Sequence, residues 1–264
     1  DEALRVALAA LPDSAGPATI AATLAVGVPA LLRAASGDAP IAPDPTQATA
    51  TDVLRMLHGR VPEQQAGQAL DTYFTVMADS GMSTSSFTAR AIASTRASLS
   101  AAVTGAWCAF SGVLHGAAPG PTLDLLNAAA AAEDLDAWLE AKLRRGERLM
   151  GFGHRVYHGN DPRAEAMRAA LRRMPSAAGR LEFAALLEQR VAAVVERVKP
   201  GRRLPANVEV MAAILLDAVG IPRQGFTAVF GVARCPGWIA HALEQQKTGR
   251  LIRPISRYIG PPVE

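Results

Sequence analysis

Leu187-Glu188-Gln189-Arg190-Val191-Ala192-Ala193-Val194-Val195-Glu196-Arg197-Val198-Lys199-Pro200-Gly201 is the stretch that decides the fold class of this chain. Leu187, Val191, Val194 and Val198 recur at helical spacing between Glu188, Gln189, Arg190 and Glu196, so one face is apolar and the rest polar. Pro200-Gly201 then stops the helix. The same period runs through Asp52 to His58, Ala69 to Ala78 and Asp136 to Arg145. Alternating strand-like runs are scarce and aromatics are only 5%, so the reading is all-α. Pro, Gly and Ser cluster at Ala39 to Pro45, Ala117 to Pro121 and Arg173 to Gly179, where breaks are expected. The alanine run Ala128 to Ala132 is helix-forming composition without chemistry, and no internal repeat is evident.

A chain of 264 residues can bury a large core, as one domain with a lobe or as two domains. Its two cysteines, Cys108 and Cys235, lie in apolar stretches and make neither a disulfide framework nor a cysteine metal site, which fits a reducing, cytoplasmic setting. The 27 basic residues are scattered against 24 acidic ones, so nucleic acid is not an expected partner. Ser14 to Leu32 and Ala97 to Leu123 are long and uncharged. The first is broken by Gly16, Pro17, Gly27 and Pro29 and the second is diluted by Ser, Thr and Gly, so both read as buried core and no membrane span is expected. Asp1-Glu2-Ala3-Leu4-Arg5 has no basic flank leading into an apolar run, so no secretory signal is expected there.

Three short segments carry chemistry: Val113-Leu114-His115-Gly116, Gly151-Phe152-Gly153-His154-Arg155-Val156-Tyr157 and Asn207-Val208-Glu209. Glycine is kept where the backbone must turn or approach a ligand, and a histidine beside it can offer an N–H to a carbonyl oxygen that is gaining charge. Glu209 adds a candidate general base. His154 and His158 are four apart, but glycines flank the segment and no acidic neighbour completes a metal pattern, so no metal is expected. Gly151-Phe152-Gly153 follows no strand and lacks a third glycine, which removes a dinucleotide fingerprint.

These segments, with Asp161-Pro162-Arg163, Gly220-Ile221-Pro222, Phe226-Thr227, Arg234, Gly237-Trp238-Ile239-Ala240-His241, Ile252-Arg253-Pro254 and Tyr258-Ile259-Gly260, resemble the citrate synthase family in order and spacing. The resemblance implies an all-α dimer. A large helical domain, here 1–116 with 220–264, would be interrupted by a smaller lobe, here 117–219, that closes over the substrates. It also implies a further N-terminal segment ahead of the part matched here.

The chemistry implied is condensation of acetyl-CoA with oxaloacetate and hydrolysis of the thioester, with the CoA thioester as substrate and no cofactor. His115 matches the histidine that hydrogen-bonds the thioester oxygen, and His154 the one that polarises the keto carbonyl of oxaloacetate. Arg163, Arg234 and Arg253 match the arginines that hold its carboxylates, a task that suits a bidentate guanidinium. In the family the last of these crosses from the partner subunit, so a homodimer is expected.

This chain departs from the family pattern at four positions. Glu209 stands for the catalytic aspartate, Met77 and Ser80 replace two histidines, and Ala206 replaces a proline before Asn207. A longer carboxylate keeps acidity but changes reach, and loss of the second histidine removes an expected ligand of the oxo acid. Three readings stay open: a synthase acting on oxaloacetate or a related 2-oxo acid, a citryl-CoA lyase-like enzyme, and a catalytically weak paralogue that partners an active synthase.

Overall fold

The computed structural model describes residues 2–153 and 161–260. Its helices, in chain order, are α1 (Glu2–Ala9), α2 (Pro17–Ala35), α3 (Thr49–His58), α4 (Gln64–Met77), α5 (Thr84–Ala93), α6 (Leu99–Phe110), α7 (Pro119–Ala130), α8 (Leu135–Arg144), α9 (Pro162–Leu171), α10 (Ala178–Val198), α11 (Val208–Ala218) and α12 (Phe226–Thr248). Among the described residues there is no strand, only one antiparallel bridge, Phe152 to Ala206.

α10 forms where its period requires. Leu187, Val191 and Val194 are buried, Val198 is packed on the core, and Gly201 follows at φ 78° beyond the Pro200 stop. One expected break is misplaced. Pro119 lies inside Ala117 to Pro121, yet it starts α7, because a proline at the first helical position gives up an N–H that has no intrahelical partner anyway. The reading of Ser14 to Leu32 as buried core holds for one stripe only. α2 is long and apolar enough to cross a membrane, with mean hydropathy 1.6, and it buries Ile20, Leu24, Val28 and Pro29 while much of its remaining surface is exposed or half-buried.

Two helices buried on most sides organise the rest. α12 packs against α2, α4, α5 and α6, and α11 packs against α7, α9 and α4. α11 and the first two-thirds of α12 are apolar around most of their circumference, which is what a helix surrounded by other helices requires, whereas the last turns of α12 are mostly polar and exposed. Trp107, Phe110, Phe230 and Trp238 meet edge to face or tilted beneath α12, at centroid distances from 4.8 to 6.4 Å. Truncating a fully buried aromatic such as Trp238 to alanine costs about 3–5 kcal/mol. α4 touches both central helices.

Candidate active site

The turn from Ala78 to Ser83, between α4 and α5, is seated directly on α12. A Cβ at Gly237 would lie 2.1 Å from the Ala78 carbonyl oxygen, so glycine is required there for the two backbones to touch. One turn earlier on α12, Arg234 donates from Nε to the Met77 carbonyl at 2.7 Å and from Nη2 to the Ser80 hydroxyl at 2.9 Å. Arg234 is 2% exposed and lies over the Phe230 ring at 5.0 Å.

Ser80 receives a second guanidinium. Arg163, in the first turn of α9, donates from Nη1 to Ser80 Oγ at 3.0 Å. Asp161 caps that helix by accepting the Arg163 backbone N–H, and its carboxylate takes Arg163 Nε at 3.1 Å and Nη2 at 2.8 Å. Asp161 is almost fully buried, so the fork geometry holds the guanidinium in one orientation. The position from which a histidine ligand is missing therefore carries a hydroxyl shared by two arginines.

His115 lies in the turn after α6, packed against Phe110 at 5.1 Å. Its Nε2 accepts the Ser85 backbone N–H at 3.4 Å and pairs with Ser85 Oγ at 2.8 Å. An accepting Nε2 leaves the ring hydrogen on Nδ1. Trp238 Nε1 donates to the same Ser85 oxygen at 3.0 Å. Burial, then the charge of Arg234, lower the His115 pKa, so the imidazole is held neutral and able to donate.

Glu209 sits in the first turn of α11. Asn207 caps that helix by accepting the Glu209 N–H at 2.9 Å, and its Nδ2 donates to the Gly153 carbonyl at 2.8 Å. The Asn207 N–H reaches the Gly151 carbonyl at 2.8 Å and the Gly153 N–H the Pro205 carbonyl at 2.7 Å, so the glycine segment and the helix entry are stitched together. Gly151 has φ 83°, and a Cβ there would come within 2.7 Å of Thr122 and Val210. Glu209 is partly exposed as a residue, but its Oε2 is sealed and has no hydrogen-bond partner among the described residues. Burial pushes its pKa up to about 7, against the pull of Arg163 and Arg234 and with a small push from Asp161. A carboxylate in that range suits proton abstraction near neutral pH.

Arg234 links the group: its charge acts on His115, and both it and Arg163 act on Glu209, while the two guanidinium groups meet at Ser80. His154 lies outside the described residues, immediately after the pinned Gly153. Arg253 is not with this group. It is exposed on the extended segment after α12.

The profile of the family described as "Citrate synthase, C-terminal domain" matches residues 4–255. The chain belongs to the citrate synthase family. A Mycobacterium tuberculosis protein, provisionally named citrate synthase 2, is 44% identical over 200 residues, which cover 76% of this chain and 53% of that protein. The chain therefore spans about half the length of that curated relative. The crystal structure of citrate synthase from Thermotoga maritima superposes with TM-score 0.80 and 28% identity over 100% of this chain and 76% of that one. The same TM-score of 0.80, at 21% identity over 100% of this chain and 78% of the other, relates it in fold to Thermoplasma acidophilum citrate synthase in complex with carboxymethyl coenzyme A and oxaloacetate.

Within this citrate synthase framework the residue pattern did not reveal three participants. Ser85 was hidden in Ser83-Thr84-Ser85-Ser86, which reads only as a helix start, and its contacts lie 30 and 153 residues away. The Asp161–Arg163 fork was available in principle, since an aspartate ahead of Pro162 is a capping signal. Tyr73, fully buried on α4 with its hydroxyl unpartnered, carries a pKa raised well above the ordinary value by burial and then by Glu209. Nothing local in the sequence marks it.

Proposed function

We propose that this chain carries the catalytic centre of a citrate synthase-type enzyme that condenses acetyl-CoA with oxaloacetate, or a closely related 2-oxo acid, to give citrate and CoA. The reading is carried by two groups that Arg234 acts on: a neutral His115 with its ring hydrogen on Nδ1, and a Glu209 carboxylate raised to about 7 beside Arg163 and Arg234. Glu209 takes a proton from the acetyl methyl group while His115 donates to the thioester oxygen, so the developing enolate is neutralised as it forms. The enolate carbon then attacks the keto carbon of oxaloacetate, whose oxygen His154 polarises and protonates. Water cleaves the resulting thioester, releasing CoA and the new carboxylate.

A cavity of about 790 Å³ supports the CoA assignment. Its lining includes Arg148, Lys199, Arg202 and Arg203, with Glu147, and also Glu209. Basic side chains suit nucleotide phosphates, and a base in the same cavity suits an acyl group tethered to them. The complex of the Thermoplasma enzyme with a CoA analogue and oxaloacetate is consistent with the same two substrates here.

The division into 1–116 with 220–264 and 117–219 belongs to this reading, with closure of the second unit excluding water. Arg253 belongs to it as well, as the carboxylate ligand given to the partner's site in a homodimer. The segment that carries it exposes Ile255 at 98% and Ile259 at 92%, apolar surface suited to a second copy.

The test is CoA thiol release by the purified protein from acetyl-CoA or propionyl-CoA with oxaloacetate, beside His154→Ala. Release that needs both oxaloacetate and His154 is expected; its absence with every pair, from a folded protein, overturns the reading. Mixing inactive Arg253→Ala with inactive His154→Ala restores part of the activity if the site is shared. No recovery in heterodimers verified by mass removes the crossing arginine.

A further inference from the structure

The segment Gly237-Trp238-Ile239-Ala240-His241 is only partly explained by the chemistry above, which uses Trp238 behind Ser85 and leaves His241 without a role. Arg234, Trp238, His241 and Gln245 recur at helical spacing and form one polar line along α12. The first two reach Ser80 and Ser85 respectively. His241 reaches the residue just before Ser80: its Nε2 lies 3.0 Å from Asp79 Oδ1.

The ring is oriented by a third group. Arg90 Nη1, from α5, faces His241 Nδ1 at 3.2 Å and also pairs with Glu244. A guanidinium can only donate, so Nδ1 accepts and Nε2 carries the hydrogen given to Asp79. Asp79 in turn accepts the Gly81 N–H at 3.0 Å through its other oxygen. Asp79 and Gly81 bracket Ser80, the residue on which both arginines converge.

We propose that His241 is a positioning residue for the 2-oxo acid end of the site. Acting through Asp79, it fixes the Ala78 to Gly81 turn on α12 and so sets where the Ser80 hydroxyl meets Arg163 and Arg234. The chain from Arg90 through His241 and Asp79 is the frame that lets a serine stand at this position with defined geometry. A short side chain reaches the arginines only if its backbone is held at the right height, and the Gly237 contact leaves that height little freedom on the α12 side. The substrate assignment rests on the function proposed above, whereas the clamp itself does not.

The experiment uses His241→Leu, which removes both ring hydrogen bonds, His241→Gln, whose amide can accept from Arg90 and donate to Asp79, and Asp79→Ala. Asp79 is half-exposed, so its loss leaves the core intact should His241→Leu fail to fold. Amide hydrogen exchange is followed over 78–86 without substrate, and KM for oxaloacetate and acetyl-CoA is measured in parallel. Exchange faster by about tenfold over 78–86 in His241→Leu and Asp79→Ala, with KM for oxaloacetate raised about tenfold, KM for acetyl-CoA unchanged and both effects reversed in His241→Gln, is expected. Unchanged exchange, or equal rises in both KM values, overturns the proposal. Faster exchange in a protein whose wild type neither binds nor turns over oxaloacetate upholds the clamp and removes the substrate reading.

Discussion

The His115 side of the site is held by Ser85 and, behind it, Trp238, whereas the Glu209 side ends in a carboxylate oxygen buried without a partner. One group is locked into a single tautomer, and the other is left with its charged form disfavoured. A donor that must meet a developing oxyanion gains from being fixed beforehand, because no reorganisation is then needed when charge appears. A base gains from being poised, because its proton affinity has to approach that of the working pH. The contrast predicts that variants on the two sides fail in different ways.

The largest effect is expected for Glu209→Gln, which should lower kcat by about 10³-fold, within the range for a general base. The same change should raise thermal stability above neutral pH. Glu209 has a folded pKa of about 7 against an ordinary value of 4.5, so between those values the folded chain keeps a proton that the unfolded chain has lost. Its contribution to stability therefore falls as pH rises from about 4.5 to about 7 and is level above, a loss of up to about 3 kcal/mol. Melting curves of both proteins at pH 5 and pH 8 check this: the gain from glutamine should be seen at pH 8 and largely vanish at pH 5. A variant less stable at pH 8 would mean the carboxylate is satisfied and the contrast is false.

His115→Ala should reduce kcat by about 10²–10³-fold, the loss associated with one oxyanion donor, and should show no gain in stability at pH 8: the lowered pKa of the histidine places any pH-dependent relief on the acid side instead. Glu209→Asp comes next. Withdrawing the carboxylate by one methylene should cost about 10- to 100-fold in kcat in a site fitted around glutamate. An increase instead would mean that the site still has aspartate geometry. Ser85→Ala is the smallest in rate, about tenfold, but should destabilise the protein by about 1–3 kcal/mol by orphaning the buried Trp238 N–H.

Helices were legible wherever a stripe of apolar residues faced one core, as in α10, and wherever glycine or proline ended them. Pro119 was misread because the same residue that stops a helix also starts one well. The half-exposed surface of α2 was not legible, since composition reports apolarity but not which side is covered. In the site, His115, Arg163, Arg234 and Glu209 could be singled out because each sits in a short segment of recognisable pattern. Ser80 was read only as an absent histidine. Its partnership with two arginines, 83 and 154 residues away, is a property of how α4, α9 and α12 pack, and no local spacing encodes it.

The attachment of the Met77 to Ser80 turn has a consequence for how such a pocket can change over generations. Arg234 grips the Met77 carbonyl and Gly237 abuts the Ala78 carbonyl, so main-chain atoms common to every amino acid provide much of the anchorage. The side chain at 80 can then be exchanged while the turn stays where it is, whereas Met77 is itself buried in the core and its replacement must also fill that space. A lineage can trial new ligands at position 80 with little risk to the scaffold, and Ser80, standing where a histidine is usual, is the kind of substitution such a tolerant mount permits.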